Sequence, residues 1–122
     1  MKCELNRTVS ELNSFGLSAF EETTLTGSRM SEVSFIASAW RDCTFCDEDY
    51  YFVRFPSAVF VNTKFVNCTL RKVIFRKAIF VNCRFESCTL NESVFHNAQL
   101  IDTVFVDTDI NQAANLEGVV GL

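Results

Sequence analysis

The sequence predicts an all-β fold wound as a solenoid, and two patterns carry that reading. Every fifth residue from Phe15 to Ile110 is large and apolar: Phe15, Phe20, Leu25, Met30, Phe35, Trp40, Phe45, Tyr50, Phe55, Phe60, Phe65, Leu70, Phe75, Phe80, Phe85, Leu90, Phe95, Leu100, Phe105 and Ile110. A period of five matches neither the turn of a helix nor the alternation of an ordinary strand. It fits a chain that turns a corner every five residues and sends one long side chain inward from each short edge. The second pattern lies two residues before each large one. There Ser18, Thr23, Ser28, Val33, Ser38, Cys43, Val53, Ala58, Thr63, Cys68, Val73, Ala78, Cys83, Cys88, Ser93, Ala98, Thr103 and Thr108 are all small or compact, and only Asn13 and Glu48 depart. Large and small residues alternating toward one axis fill a narrow core without voids.

The segment Ala114-Asn115-Leu116-Glu117-Gly118 reads Ala, Asn, Leu and two variable residues. Val81-Asn82-Cys83-Arg84-Phe85 and Val66-Asn67-Cys68-Thr69-Leu70 are versions of it with Cys in place of Ala. The chain thereby resembles the pentapeptide-repeat proteins. The resemblance implies a right-handed quadrilateral parallel β-helix, a β-solenoid of about five coils built from tandem pentapeptide repeats, with a face for each repeat and four faces to a coil. Residues twenty apart then stack, which the sequence supports independently. Phe15, Phe35, Phe55, Phe75 and Phe95 make a core ladder of phenylalanine alone. Phe20, Trp40, Phe60, Phe80 and Leu100 make a second, and Leu25, Phe45, Phe65, Phe85 and Phe105 a third. The fourth, Met30, Tyr50, Leu70, Leu90 and Ile110, holds no phenylalanine.

Taken in order, residues 1–14 form an N-terminal cap in this reading, 15–110 the β-helix, and 111–122 a bulge, a last repeat and a C-terminal cap. Cys3 and Leu5 keep the register of the repeat, Ser10 breaks it, and Leu12 and Leu17 are candidates to cover the first coil. In the interior, Glu48 occupies a small inward position beside Asp47 and Asp49. An unpaired buried carboxylate is costly, so a local bulge that turns Glu48 outward is expected, with Pro56 at a corner where no ladder donor is needed. After Ile110 the spacing slips by one residue through Asn111-Gln112-Ala113 before the motif resumes, which predicts a bulge or small loop.

Composition narrows the function. A net charge of -4 and a pI near 4.9 argue against direct nucleic-acid binding by a broad basic surface. The sequence contains no apolar run long enough for a membrane span and no signal-peptide core after Met1, so a cytoplasmic protein that does not bind membranes is expected. The family resemblance adds the expectation of a bacterial origin. Five of the six cysteines, Cys3, Cys43, Cys68, Cys83 and Cys88, fall on the small inward position and read as core-filling thiols. Cys43 and Cys46 spell CxxC, but one should face in and the other out, and no histidine cluster completes a metal site. Cys68 and Cys88 stack on adjacent coils, where geometry leaves a disulfide open although a reducing cytosol favours thiols. His96 is the sole histidine, so neither a catalytic dyad nor a triad can be assembled. No catalytic residue, cofactor or metal ligand is assigned, and the chain is not expected to be an enzyme.

The outer surface is more informative. Ala39, Val59, Val61, Ile79, Val81 and Ile101 face outward over the second ladder, continued at a corner by Ile74 and Val94. Such an apolar strip is a candidate interface, against the plain strand preference of β-branched residues. Basic residues Lys64, Arg71, Lys72, Arg76, Lys77 and Arg84 crowd the middle coils and wrap around corners. The leading expectation is a non-catalytic protein-binding or scaffold module for an unknown protein partner, with a homodimer as its simplest form. The family resemblance implies two alternatives, a topoisomerase (gyrase) inhibitor or protector acting by DNA mimicry and a secreted bacterial effector. Segments such as Ile101-Asp102-Thr103-Val104-Phe105 also resemble the luminal domain of synaptic-vesicle glycoproteins. Asn6-Arg7-Thr8 and Asn67-Cys68-Thr69 are glycosylation sequons in keeping with that, while the missing signal peptide and span place this reading behind the others.

Overall fold

The structure, a computed structural model, describes residues 3–6 and 19–121. Leu12, Phe15 and Leu17 lie outside the described residues. Strands of three or four residues stack in parallel at an offset of twenty residues, so each coil sits on the previous one in register. One face is a six-stranded sheet, Cys3–Asn6, Thr23–Thr26, Thr44–Cys46, Lys64–Val66, Arg84–Glu86 and Val104–Val106. Another is a five-stranded sheet, Ala19–Glu21, Ala39–Arg41, Val59–Val61, Ile79–Val81 and Gln99–Ile101. A third holds Arg29–Ser31, Asp49–Tyr51 and Thr69–Arg71. The fourth is a column of single bridges joining Ser34, Arg54, Ile74, Val94 and Asn115. The chain is thus a pentapeptide-repeat β-solenoid with four faces. Four complete turns separate Phe20 from Leu100; the expected count of about five starts at Phe15, before the continuous described segment.

The corners explain the period of five. Two residues after each large side chain, from Glu22 to Asp107, the backbone enters the left-handed region, with φ of 48° at Glu22, 54° at Asn67 and 59° at Asn97. Most L-residues lose about 1–2 kcal/mol there. From Glu22 to Asn97 each corner N–H compensates by donating to the next coil, as Asn62 does to the Val81 carbonyl at 2.9 Å and Lys72 to Asn91 at 2.9 Å. Asn, Asp and Gly suit such corners, but the chain also places Phe52 (φ 56°) and Lys77 (φ 57°) in them. Stacking between coils therefore overrides local preference.

Inside, coil spacing becomes ring spacing. Phe45 and Phe65 lie 4.4 Å apart at 9°, Phe65 and Phe85 4.6 Å at 3°, and Phe60 and Phe80 4.8 Å at 6°. The all-phenylalanine ladder stacks at 4.9 Å for Phe35 on Phe55, 5.4 Å for Phe55 on Phe75 and 5.0 Å for Phe75 on Phe95. Across the axis the rings meet edge to face, as in Phe55 against Phe60 at 5.4 Å and 64°, an arrangement that suits the ring quadrupoles. Met30, Tyr50, Leu70 and Leu90 complete the core, all buried.

The one-residue slip is where the sequence places it. Ile110–Gln112 form a 3-10 turn capped by Asp109, which accepts the Asn111 N–H at 3.0 Å. Beyond it the bridges join Val94 to Asn115 and Gln99 to Val120, an offset of twenty-one instead of twenty. The turn also closes the end of the stack: Gln112 accepts the Leu90 N–H through Oε1 at 3.1 Å and the Glu92 N–H through its backbone carbonyl at 3.1 Å. No helix among the described residues is long and apolar enough to cross a membrane.

Candidate interaction face

The five-stranded sheet positions the candidate face. Its last four strands each have a buried central residue, Phe20 in the first is half-buried, and the residues flanking each of these point outward. Register then builds two outer columns, Ala39, Val59, Ile79 and Gln99 in one and Arg41, Val61, Val81 and Ile101 in the other. All six sequence-picked residues lie in these columns. Val59, Val61, Ile79 and Val81 are half-buried, while Ala39 and Ile101 are exposed. A shallow depression of about 240 Å³ lined by Ala19, Ala39, Val59, Val61 and Arg41 opens at one end. There Arg41 pairs with Glu21 at 2.8 Å, so the apolar strip ends in charge. Ile74 and Val94 lie one beside the other on the adjoining bridge column, continuing the strip around a corner.

Polar ladders flank it. Asn82 donates to Asn62 Oδ1 at 2.7 Å, and Asn62 donates to Asp42 Oδ1 at 3.2 Å. One corner further on, Asn67 donates to Asp47 at 2.7 Å. These are corner residues, so the amides pair along the solenoid and tie adjacent coils together.

A second surface feature was not singled out from the sequence. Tyr51 and Phe52, 40% and 38% exposed, are large aromatics held at the surface by cations. The Arg71 guanidinium lies 5.4 Å from the Tyr51 ring centre, Lys72 Nζ 5.9 Å from the same ring, and Arg54 5.6 Å from Phe52. The signal was present in the numbering, since Arg71 follows Tyr51 by twenty residues and must stack on it. The basic residues otherwise wrap the solenoid: Lys64 and Arg84 sit in register on one face, and Arg71 lies on the next.

Glu48 corrects the sequence reading. It does not turn outward; it is 1% exposed, inside the solenoid. Its carboxylate accepts the Ser28 backbone N–H at 2.6 Å through Oε2 and the Tyr50 hydroxyl at 2.5 Å through Oε1. Burial raises its pKa above the usual carboxylate range, with the two hydrogen bonds opposing that shift. The Tyr50 phenol is pushed well up by burial and by the Glu48 charge beside it. Tyr50 was the readable clue. It is a phenol in an otherwise aliphatic ladder, and a buried phenol calls for an acceptor.

Four of the cysteines pack into the core. Cys43, Cys68, Cys83 and Cys88 are buried and Cys46 is half-exposed, so CxxC faces both ways. Burial raises the Cys43 thiol and pushes Cys83 up to about 11, leaving both as poor nucleophiles. His96 is half-buried rather than freely outward, with Nδ1 3.9 Å from Glu117 Oε1. Among the described residues no group of three or more His, Cys, Asp or Glu side chains could hold a metal ion.

Comparison with known proteins adds a family. The model described as the SV2A/B/C luminal domain matches residues 52–120, more than half of the 122 residues. The chain belongs to the SV2A/B/C luminal-domain family. The resemblance placed last in the sequence reading is therefore the one with a family match, and it sits within the pentapeptide-repeat architecture. A search of curated proteins finds no match to this luminal-domain family member. Among solved structures it is similar to the pentapeptide repeat protein Rfr23 of the cyanobacterium Cyanothece, at 12% identity and a TM-score of 0.44 over 88% of this chain and 90% of that one. It is also similar to a trypsin-treated form of QnrB1, a plasmid-mediated fluoroquinolone resistance protein, at 11% identity and 0.41 over 98% and 73%. HetL of the cyanobacterium Nostoc, a pentapeptide repeat protein involved in heterocyst differentiation regulation, follows at 6% and 0.31 over 91% and 89%.

Proposed function

We propose that the chain is a non-catalytic binding module that presents the outer columns of its five-stranded sheet to a protein partner, a second copy being the first to test. The observation that carries this is the stacking of Val59 with Ile79 and of Val61 with Val81 on central strands, in register and partly open to solvent. A stiff apolar strip bounded by Arg41 and Gln99 has the make-up of an interface core with a polar rim. The absence of chemistry is part of the proposal, supported by thiols whose pKa burial raises at Cys43 and Cys83. Protein is preferred over nucleic acid or membrane because the basic residues are spread over different faces of a chain with a net charge of -4. The same scatter breaks up the continuous acidic surface that DNA mimicry requires, so the topoisomerase reading is not carried forward. A cytoplasmic location fits the free thiols, whereas the family's name speaks of a lumen; cell fractionation decides between them.

The test compares wild type with the Val61→Lys/Val81→Lys double variant. Light scattering should show a wild-type dimer that the variant loses while its circular dichroism is unchanged. If wild type is monomeric, affinity capture with both proteins should recover a partner that only wild type retains. Identical mass and identical captured proteins for the two would overturn the reading.

A further inference from the structure

We infer that Cys68 and Cys88 are a built site for reversible oxidation, closing as a disulfide between adjacent coils when the protein meets a peroxide. The bridge from Thr69 to Thr89 and the bond from the Thr89 N–H to the Cys68 carbonyl at 3.0 Å place the two cysteines directly above one another. Their thiols point the same way, because each donates to the carbonyl twenty-three residues earlier: Cys68 to Phe45 at 3.3 Å and Cys88 to Phe65 at 3.2 Å. Stacked strands are spaced by about 4.8 Å, inside the window of about 4.4–6.8 Å between the Cα atoms of a disulfide.

The register makes this pair specific. Cys43 and Cys83 share a column but are separated by Thr63, two coils apart at about 9.6 Å, beyond bridging reach. Thr23 stands likewise between Cys3 and Cys43. Cys46 faces outward, away from every inward thiol.

Within the pair the roles differ. Cys88 is the more open, 6% exposed against 2% for Cys68. Cys88 is therefore the attacking sulfur. Its thiolate displaces hydroxide from one peroxide oxygen as the O–O bond breaks, leaving a sulfenic acid on Cys88. The Cys68 sulfur then attacks the Cys88 sulfur, the S–S bond forms, and the hydroxyl departs as water with the Cys68 proton. The two thiols lose two electrons and two protons, and the peroxide is reduced to water.

The full chain is treated with hydrogen peroxide, its remaining thiols are alkylated, and it is digested with trypsin, which separates the Cys68, Cys83 and Cys88 peptides at Lys64, Arg71, Lys77 and Arg84. A linked pair of the Cys68 and Cys88 peptides, split again by dithiothreitol, is expected. Cys68→Ser should leave a Cys88 sulfenic acid that dimedone traps, and Cys88→Ser should leave Cys68 fully alkylated. Both serines keep a donor for the column carbonyls, and circular dichroism checks their folding. A wild-type map with both thiols alkylated, or linked to other cysteines, overturns the inference whether or not either variant folds.

Discussion

At the scale of single residues, Glu48 shows how the fold tolerates a charge in its core. It stands in the column of Ser28, Cys68, Cys88 and Thr108, where every other member is small. Its extra length is used to reach the Tyr50 hydroxyl on its own coil and the Ser28 N–H on the coil before. Because burial raises the folded-state pKa above the unfolded one, this group's contribution to stability is fully present below the unfolded pKa and is lost as pH rises through the folded one. Wild type should therefore lose stability relative to Glu48→Gln as pH is raised from about 4 to about 8, bracketing the ordinary glutamate pKa near 4.3. Glutamine keeps an acceptor for the Ser28 N–H and has no charge to bury. Melting temperatures of both proteins across that range check the sign, and parallel curves would contradict it.

At the scale of the element, the unit is a three-residue strand and its corner, and the chemistry of the small inward position follows from the carbonyl it meets. In the column Thr23, Cys43, Thr63, Cys83 and Thr103 every residue carries a donor. Cys43 donates to Phe20, Thr63 to Trp40, Cys83 to Phe60 and Thr103 to Phe80, each to a carbonyl on the preceding coil. At Ala58, Ala78 and Ala98 no such donor is needed, because the local turn satisfies the carbonyl itself: their N–H groups donate to Phe55 at 3.2 Å, Phe75 at 3.1 Å and Phe95 at 2.9 Å. The large position is governed by packing instead. Phe75 is fully buried and stacked between Phe55 and Phe95, so Phe75→Ala should cost about 3–5 kcal/mol. Phe105→Ala, in the partly exposed last coil, should cost clearly less. Urea unfolding of the two variants measures the difference, and equal midpoints would refute a core centred on the middle coils.

At the scale of the whole molecule, the solenoid is a one-dimensional stack in which each coil meets only its neighbours, so register is its main global constraint. Removing Asn67 would shift every later residue by one place, drive outward residues inward and unfold the chain or lower its midpoint severely. Removing Asn111 should be nearly neutral, because it brings Leu116 back into step with Ile110 and restores the offset of twenty that the 3-10 turn now interrupts. Circular dichroism during urea unfolding of the two deletion variants tests this, and similar losses in both would contradict it. The same one-dimensionality makes flat outer columns available for docking, since no other part of the described chain covers them.

The sequence by itself determined the period, the four ladders, the inward cysteines, the slip after Ile110 and the composition of the apolar face. Each depends only on spacing along a chain whose geometry repeats. What it left to the tertiary structure were the contacts between coils that depend on side-chain reach. Glu48 was expected outward because a lone carboxylate in a core is costly, and only the placement of Tyr50 and of the Ser28 N–H showed that it is not alone. Tyr51 was passed over because its cations, Arg71 and Lys72, are distant in sequence and meet it only one coil later. Spacing says which residues share a column; the direction and reach of the side chains within it decide which of them bond.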